Sequence, residues 1–317
     1  MNWRKPVIFA LLSLSGSKTP QYLREIRKID KSSLKEKEEY QKQKLEKLLL
    51  HAYENAPYYH RVLGEAKVVV NGEVNLENFS KIPILTKEII RKEGKNLYSK
   101  DYEKRRFYEN TSGGSTGEPV RFIQDKEYDD WNIATKLYFF KKLGKEEGER
   151  EIKLWGSDRD IIKGNLTVKD RIINFLYNRK FFNCYNFSQK DLEKLSILHN
   201  SFNPQVYWAY VEGIYEFSKY ALENNIKLYT PKFIISTIGP LYSKNREIIQ
   251  KAFGCRVYNQ YGSREVGGIS IENDKDKLNV FFWRQLLELI GDTKEKKIIV
   301  TNLDNYSMPL IRYDIGD

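Results

Sequence analysis

Hydrophobic positions in the first hundred residues recur with a helical period. Between Ser32 and Asn55, Leu45, Leu48, Leu49, Ala52 and Tyr53 fall at i, i+3, i+4, i+7 and i+8, the spacing of one buried helical face. Ala56-Pro57 closes that helix, because the residue before a proline is pushed out of the α region. Upstream, Pro6–Leu14 is an apolar run behind Arg4 and Lys5, and reads as a short helix docked on the body. Ile82–Glu88 predicts an extended approach into a further helix with Thr86 as its N-cap. Glu127–Leu143 predicts another, stopped by Gly144.

From Glu151 onward the period alternates. Ile152–Trp155, Val206–Trp208, Phe233–Ile238, Arg256–Asn259 and Lys297–Asn302 read as strands, with Leu278–Trp283 as part of a hairpin. Between them lie a helical stretch ending near Lys180, then Asp191–Asn200, Glu212–Leu222, and a helix N-capped by Ser243 that runs through Phe253 to Gly254. Strands separated by helices imply α/β layers with mostly parallel sheets. Two regions follow: a helical N-terminal segment over residues 1–100 packed on an α/β core over residues 101–317. In such sheets ligands sit at the carboxyl ends of strands. The turns after Phe107–Asn110, Ile152–Trp155, Phe233–Ile238 and Arg256–Asn259 are therefore the expected site walls.

Composition narrows the chemistry. The 317 residues are 40% hydrophobic and 14% aromatic, enough for a large core. The formal net charge is +11, but lysines are spread along the chain and intermixed with glutamates, so the excess reads as solvated surface rather than a nucleic-acid footprint. Cys184 and Cys255 are the only cysteines and form no C-x-x-C pair, which suits a reducing, cytoplasmic setting. The Pro6–Leu14 run is too short to span a bilayer, so no stable membrane insertion is expected. His51, His60 and His199 are scattered, which leaves neither a His-based metal site nor a Ser–His–Asp triad well supported.

Three stretches carry candidate chemistry. Thr111–Gly117 (T-S-G-G-S-T-G) crowds glycines and hydroxyls into seven residues. Such a loop either cradles an anion with successive backbone N–H groups or is a flexible turn between two strands. It is not a G-x-x-x-x-G-K-[ST] P-loop, since no lysine follows Gly117. Tyr261–Gly268 (Y-G-S-R-E-V-G-G) offers an aromatic ring to stack a base and a carboxylate to hold Mg²⁺, or a surface Arg264–Glu265 pair on a loop. Ser307–Asp317 ends in R-Y-D-I-G-D, where a carboxylate after glycine can accept both ribose hydroxyls.

Taken together and in this order, Thr111–Pro119, Tyr261–Glu265 and Arg312–Asp317 resemble the ATP-binding motifs of adenylate-forming enzymes. The phenylacetate–CoA ligase-like branch, with its CapK-type capsular polysaccharide proteins, is the nearest match. Asn55–Tyr59, Ile82–Glu88, Trp155-Gly156-Ser157 and Leu241–Ser243 also look like this branch, so the similarity covers nearly the whole chain. The resemblance implies ATP and Mg²⁺ as cofactors, and a small-molecule carboxylate activated as an acyl-adenylate, with CoA or another acceptor to follow. By that resemblance Ser112, Gly113, Gly114, Ser115, Thr116 and Gly117 hold the phosphates. Tyr261 and Gly262 face the adenine, Gly239 and Pro240 line its pocket, Glu265 binds Mg²⁺ and Asp317 takes the ribose. Catalytic roles fall to Glu265, Thr116 and Arg121.

The chain also departs from the family. Val120 stands where many members have a lysine, so Arg121 is the nearest cation, and Ile271–Leu278 has no Cys or His for the zinc insert of some relatives. The family's C-terminal domain, with its catalytic lysine, is expected to be missing after Asp317. A truncated or degenerate homologue that binds ATP or AMP without turnover is thus the alternative, as is a separate chain or homodimer partner supplying the lysine. Trp131, Trp155, Tyr185 and Tyr210 are the aromatic candidates for an acyl pocket.

Overall fold

A computed structural model describes residues 2–112, 119–156, 168–291 and 296–316. The chain divides into two compact units. The first comprises Met1–Ser15, Leu137–Gly262 and Ser270–Asn279; the second comprises Gly16–Lys136, Ser263–Ile269 and Val280–Asp317.

The first unit is built on a seven-stranded sheet. Its strands are β5 (Glu151–Trp155), β6 (Arg179–Asn183), β7 (Val206–Tyr210), β8 (Phe233–Thr237), β9 (Arg256–Ser263), β10 (Gly267–Glu272) and β11 (Leu278–Val280), in the order β11-β10-β9-β8-β7-β5-β6. The four pairings from β6 through β5, β7 and β8 to β9 are all parallel. This is the alternation that the strand and helix periods predict. Among the described residues, the helices of this unit are α1 (Arg4–Leu14), the end of α6 (Lys126–Lys142), α7 (Val168–Leu176), α8 (Gln189–Phe202), α9 (Val211–Glu223) and α10 (Ser243–Phe253). Ile152, Leu154, Tyr207, Ala209, Ile234 and Val257 of the strands pack with Leu195, Phe217, Ile249 and Phe253 of the helices in one apolar core. Burial of that kind contributes about 25 cal/mol per Å² and is what holds α/β layers together.

Two expectations need correction here. The helical stretch does not reach Lys180: α7 ends at Leu176, and Arg179–Asn183 is the edge strand β6. Its R-K-F-F-N sequence pairs with β5 alone, so an edge position rather than any local period makes it a strand. Ser243 does not cap α10 either. It is the first helical residue, and Tyr242 stands at the N-cap with no side-chain bond.

The second unit holds α2 (Thr19–Asp30), α3 (Leu34–Asn55), α4 (Pro57–Glu65), α5 (Lys87–Glu93) and the start of α6. Leu45, Leu48, Leu49 and Ala52 form the buried face of α3, as their spacing predicts. Ser33 and Glu36 close its N-terminus in a reciprocal capping box. Ala56 leaves the helical region at φ −110°, and Pro57 opens α4 at its first turn, where a missing N–H costs nothing. Thr86 Oγ1 accepts from Ile89 N–H and caps α5. A small hairpin, β1 (Val69–Val70) with β2 (Glu73–Val74), interrupts this otherwise helical region.

Three further strands, β12 (Gln285–Gly291), β13 (Lys296–Asn302) and β14 (Tyr313–Asp314), form an antiparallel sheet. The strands β3 (Tyr108–Thr111) and β4 (Arg121–Gln124) pair antiparallel as a separate hairpin. The turn after Asn110 therefore belongs to a hairpin and not to the parallel sheet. Among the described residues no helix is long and apolar enough to cross a membrane.

Candidate functional site

The glycine-rich stretch follows β3 in the chain and precedes β4. Thr111 is paired with Arg121 at the last position of the ladder. Beyond it, Ser112 N–H donates to the Val120 carbonyl at 2.9 Å, and Ser112 Oγ accepts from Val120 N–H at 2.9 Å. Ser112 and Val120 are both buried. The serine expected to hold a phosphate therefore acts first as the clasp that closes the loop. Gly113, Gly114, Ser115, Thr116 and Gly117 lie outside the described residues, and so does Asp317. Arg121 opens β4 directly beyond the clasp and is exposed.

Gln124, at the far end of β4, joins this hairpin to the tyrosine–glutamate motif. Its Nε2 donates to the carbonyls of Arg264 (2.9 Å) and Glu265 (3.0 Å), and its Oε1 accepts from Asn110 Nδ2 at 3.2 Å. The side chain is fully buried, so each of these bonds replaces water that cannot reach it. Glu265 is also buried. Its Oε1 accepts from the Tyr313 hydroxyl at 3.3 Å. Tyr313 belongs to the third motif, and burial together with the Glu265 carboxylate pushes its phenol well above the ordinary tyrosine range. Two side chains thus converge on Glu265, Gln124 on its backbone carbonyl and Tyr313 on its carboxylate.

The third motif is itself anchored from the sequence stretch before α5. Leu85 N–H donates to the Arg312 carbonyl, and Asp314 N–H donates to the Leu85 carbonyl, a parallel bridge between Leu85 and Tyr313. The Arg312 guanidinium donates to Glu288 at 3.0 Å and to the Ser80 and Ile82 carbonyls. Asp314 accepts from Gly316 N–H at 2.9 Å and from Lys297 at 3.1 Å, which fixes the turn leading to Asp317.

Asp125 holds the other side of the hairpin. One carboxylate oxygen caps α6 by accepting from Tyr128 N–H, and the other takes Tyr306 N–H, Ser307 N–H and Ser307 Oγ. Burial raises its pKa while the bonds from Tyr128 and Ser307 pull it back down.

The first unit supplies the remaining candidates at the carboxyl edge of its sheet. Register places Tyr210 opposite Thr237, and Ser236 opposite Asn259, so the ends of β7, β8 and β9 lie side by side. Tyr261 and Gly262 stand on β9 itself, which runs to Ser263, and not on a loop after it. Beyond β8 the chain bends sharply: Ile238 has φ +56° and Gly239 φ +125°, with Pro240 next. A left-handed β-branched residue is strained by roughly 1–3 kcal/mol. Gly239 is the residue that makes the bend possible. Gly239, Pro240, Tyr261 and Gly262 are thereby gathered on two adjacent strand ends.

The aromatic set divides. Trp155 and Tyr210 lie at 4.6 Å between ring centroids on neighbouring strand ends, with Lys153 4.0 Å from the Trp155 ring. Tyr185 is exposed and lines an open cavity of about 440 Å³ with Phe182, Asn183 and Lys194. Trp131 is core in the second unit, stacked at 4.2 Å on Tyr22 beneath Lys44.

The histidines behave as packing residues. His60 is exposed and bonds the Tyr53 carbonyl. His199 is buried between the Tyr207 hydroxyl and the Tyr229 carbonyl, and burial lowers its pKa to about 4.

Mg²⁺ suits this carboxylate arrangement. Among the described residues no three or more His, Cys, Asp or Glu side chains gather to form a metal cage. A single acid such as Glu265, completed by phosphate oxygens and water, is the kind of site Mg²⁺ takes.

No family model matches the chain. Protein CapK of Staphylococcus aureus is 27% identical to it over 324 residues, covering 98% of this chain and 70% of CapK. The fold matches 2-hydroxyisobutyryl-CoA ligase in complex with 2-HIB-AMP and CoA. In the open conformation the TM-score is 0.66 at 15% identity, over 87% of this chain and 67% of the ligase. In the thioesterification state it is 0.69 at 16% identity, over 90% and 64% respectively. The chain thus spans about two thirds of the length of those ligase structures. In sequence the chain is similar to CapK, and its fold is that of 2-hydroxyisobutyryl-CoA ligase.

Proposed function

We propose that this protein binds ATP with Mg²⁺ and activates a small-molecule carboxylate as an acyl-adenylate, with CoA as a candidate acceptor. One observation carries the reading: Gln124, from the hairpin strand, binds the Arg264 and Glu265 backbone carbonyls, and Tyr313, from the third motif, binds the Glu265 carboxylate, so both meet at Glu265. Support also comes from the ligase structures of this fold, which hold 2-HIB-AMP and CoA. The narrower reading, a step in cell-surface polysaccharide synthesis, rests on the likeness to CapK.

In this reading Gly113–Gly117 supply backbone N–H groups to the phosphates, and Ser112, whose own N–H is bonded to the Val120 carbonyl, serves as the clasp before them. Tyr261, Gly262, Gly239 and Pro240 receive the adenine, and Asp317 the ribose. Glu265 holds Mg²⁺, which when bound neutralises phosphate charge. Tyr313 keeps one Glu265 oxygen oriented. Arg121 and Thr116 are assigned to stabilise charge that develops as the substrate carboxylate attacks the α-phosphorus and pyrophosphate leaves. Such catalysis rests on position and charge rather than on a protein nucleophile.

The test is exchange of labelled pyrophosphate into ATP across a panel of carboxylates, with Glu265→Gln as control. Carboxylate-dependent exchange lost in Glu265→Gln, at an unchanged melting temperature, supports the reading. ATP binding with no exchange for any acid establishes instead a nucleotide binder without turnover. Failure to bind ATP overturns both.

A further inference from the structure

Helix α1 is apolar on almost every side. From Pro6 to Leu14 it carries no charged residue, yet Ile8 alone is fully buried. Trp3, Pro6, Ala10, Leu11 and Leu14 are exposed, Leu14 to 84%. A helix of this kind ordinarily lies inside a core or against lipid.

A second exposed apolar face adjoins it in the same unit. Along α7, Val168, Ile172 and Phe175 recur at i, i+4 and i+7 and are all exposed. The two faces meet where the Trp3 and Phe175 rings lie 6.3 Å apart. Arg4 seals that junction: its Nε donates to the Phe175 carbonyl, and its guanidinium lies 4.7 Å from the Trp3 ring and 5.4 Å from Phe175.

The helix is held flat along the unit by polar contacts on its inner side. Asn2 donates to the Glu147 carbonyl, and Lys5 pairs with Glu146 at 2.8 Å. At Gly148 a Cβ would come within 2.5 Å of Arg4 Cβ, so the backbones approach closely there. The inner side is therefore held in place, while the apolar side chains of α1 and α7 stay exposed together, the kind of patch that marks an interaction surface.

We propose that this α1–α7 face rests on an anionic membrane surface. Charge selects that occupant. Among the described side chains the two helices carry Arg4, Lys5 and Arg171 against a single acid, Asp170, on a chain of net charge +11. A second copy would bring +11 against +11, whereas anionic headgroups are complementary. An eleven-residue helix is about 16 Å long, half the hydrocarbon thickness, so it lies in the interface instead of spanning it. Exposed Trp and Leu side chains with Arg4 at their junction match interfacial helices, where aromatic rings seat at headgroup level.

The full chain is tested by co-sedimentation with phosphatidylglycerol–phosphatidylcholine vesicles and with phosphatidylcholine alone. Binding to the anionic vesicles is expected. Leu14→Glu and Phe175→Glu each weaken it by about tenfold or more, since each removes one inserted apolar side chain. Leu34→Glu, at a leucine 78% exposed on α3, leaves it unchanged. Unchanged melting temperatures show that the variants fold. Absence of binding to anionic vesicles overturns the proposal. So does binding that salt abolishes but Leu14→Glu leaves intact, which marks unspecific charge attraction. A concentration-dependent dimer in sedimentation that Leu14→Glu dissociates assigns the face to a second copy and also overturns it.

Discussion

Gln124→Leu severs the link between the glycine-rich hairpin and the Glu265 backbone while keeping the side chain's bulk. The substitution removes the two donations to the Arg264 and Glu265 carbonyls and the acceptor for Asn110 Nδ2. Gln124 is fully buried, so no water replaces it. A buried polar group left without a partner costs about 1–3 kcal/mol. With Arg264 half-buried and able to find solvent, the loss comes to roughly 2–4 kcal/mol rather than the sum of three full penalties. In a chain of this size that lowers the melting temperature by about 5–15 °C at 2–4 °C per kcal/mol. The local consequence is sharper than the global one. Once released, the Arg264–Glu265 turn no longer presents its carboxylate beside the hairpin, so the stabilisation by Mg²⁺–ATP shrinks as well. Scanning calorimetry with and without Mg²⁺–ATP reads both quantities. A core variant of matched destabilisation, such as Ile234→Ala in the parallel sheet, must retain the ATP-induced shift. Should Gln124→Leu melt within a degree or so of wild type, or keep the full ATP shift, Gln124 is not the tie between the motifs.

Two further outcomes follow from buried and strained positions. His199 is held neutral by burial, with a pKa of about 4 against an ordinary value of 6.5. The unfolded chain takes up the proton first as pH falls, so the contribution is complete above about pH 6.5 and is lost toward pH 4, amounting to about 2 kcal/mol near pH 5. Urea unfolding at pH 7.5 and about pH 5 should show that loss reduced in His199→Gln; an identical loss in both proteins removes His199 as its source. Ile238 is half-exposed at φ +56°, so replacing it by asparagine, which tolerates the left-handed region, should raise stability by about 1 kcal/mol. A lower melting temperature for Ile238→Asn shows that Ile238 contributes more by packing than its backbone costs.

What the sequence alone determined is what depends on neighbours within a turn or a strand. The 3.6-residue period of Leu45–Ala52 placed α3, Thr86 capped α5, and the β-branched run Phe233–Thr237 became a buried strand. The three motifs were legible because each is a contiguous set of residue types, while the place of Tyr261 and Gly262 on β9 and of Tyr313 on a short strand came only with the fold. Tertiary structure decided the rest. Gln124, Asp125 and Tyr313 carry no local signal, since their partners lie 141, 182 and 48 residues away in Glu265, Ser307 and Glu265. A clue lay only in a polar pair, Gln124-Asp125, following the apolar Phe122-Ile123 directly before a helix. Strand β6 was invisible for the same reason: its half-exposed residues became a strand by pairing with β5 at the sheet's edge. Short-range sterics and periodicity write helices, caps and motifs into the chain. Which buried donor meets which buried carbonyl is settled only when folding excludes water from both.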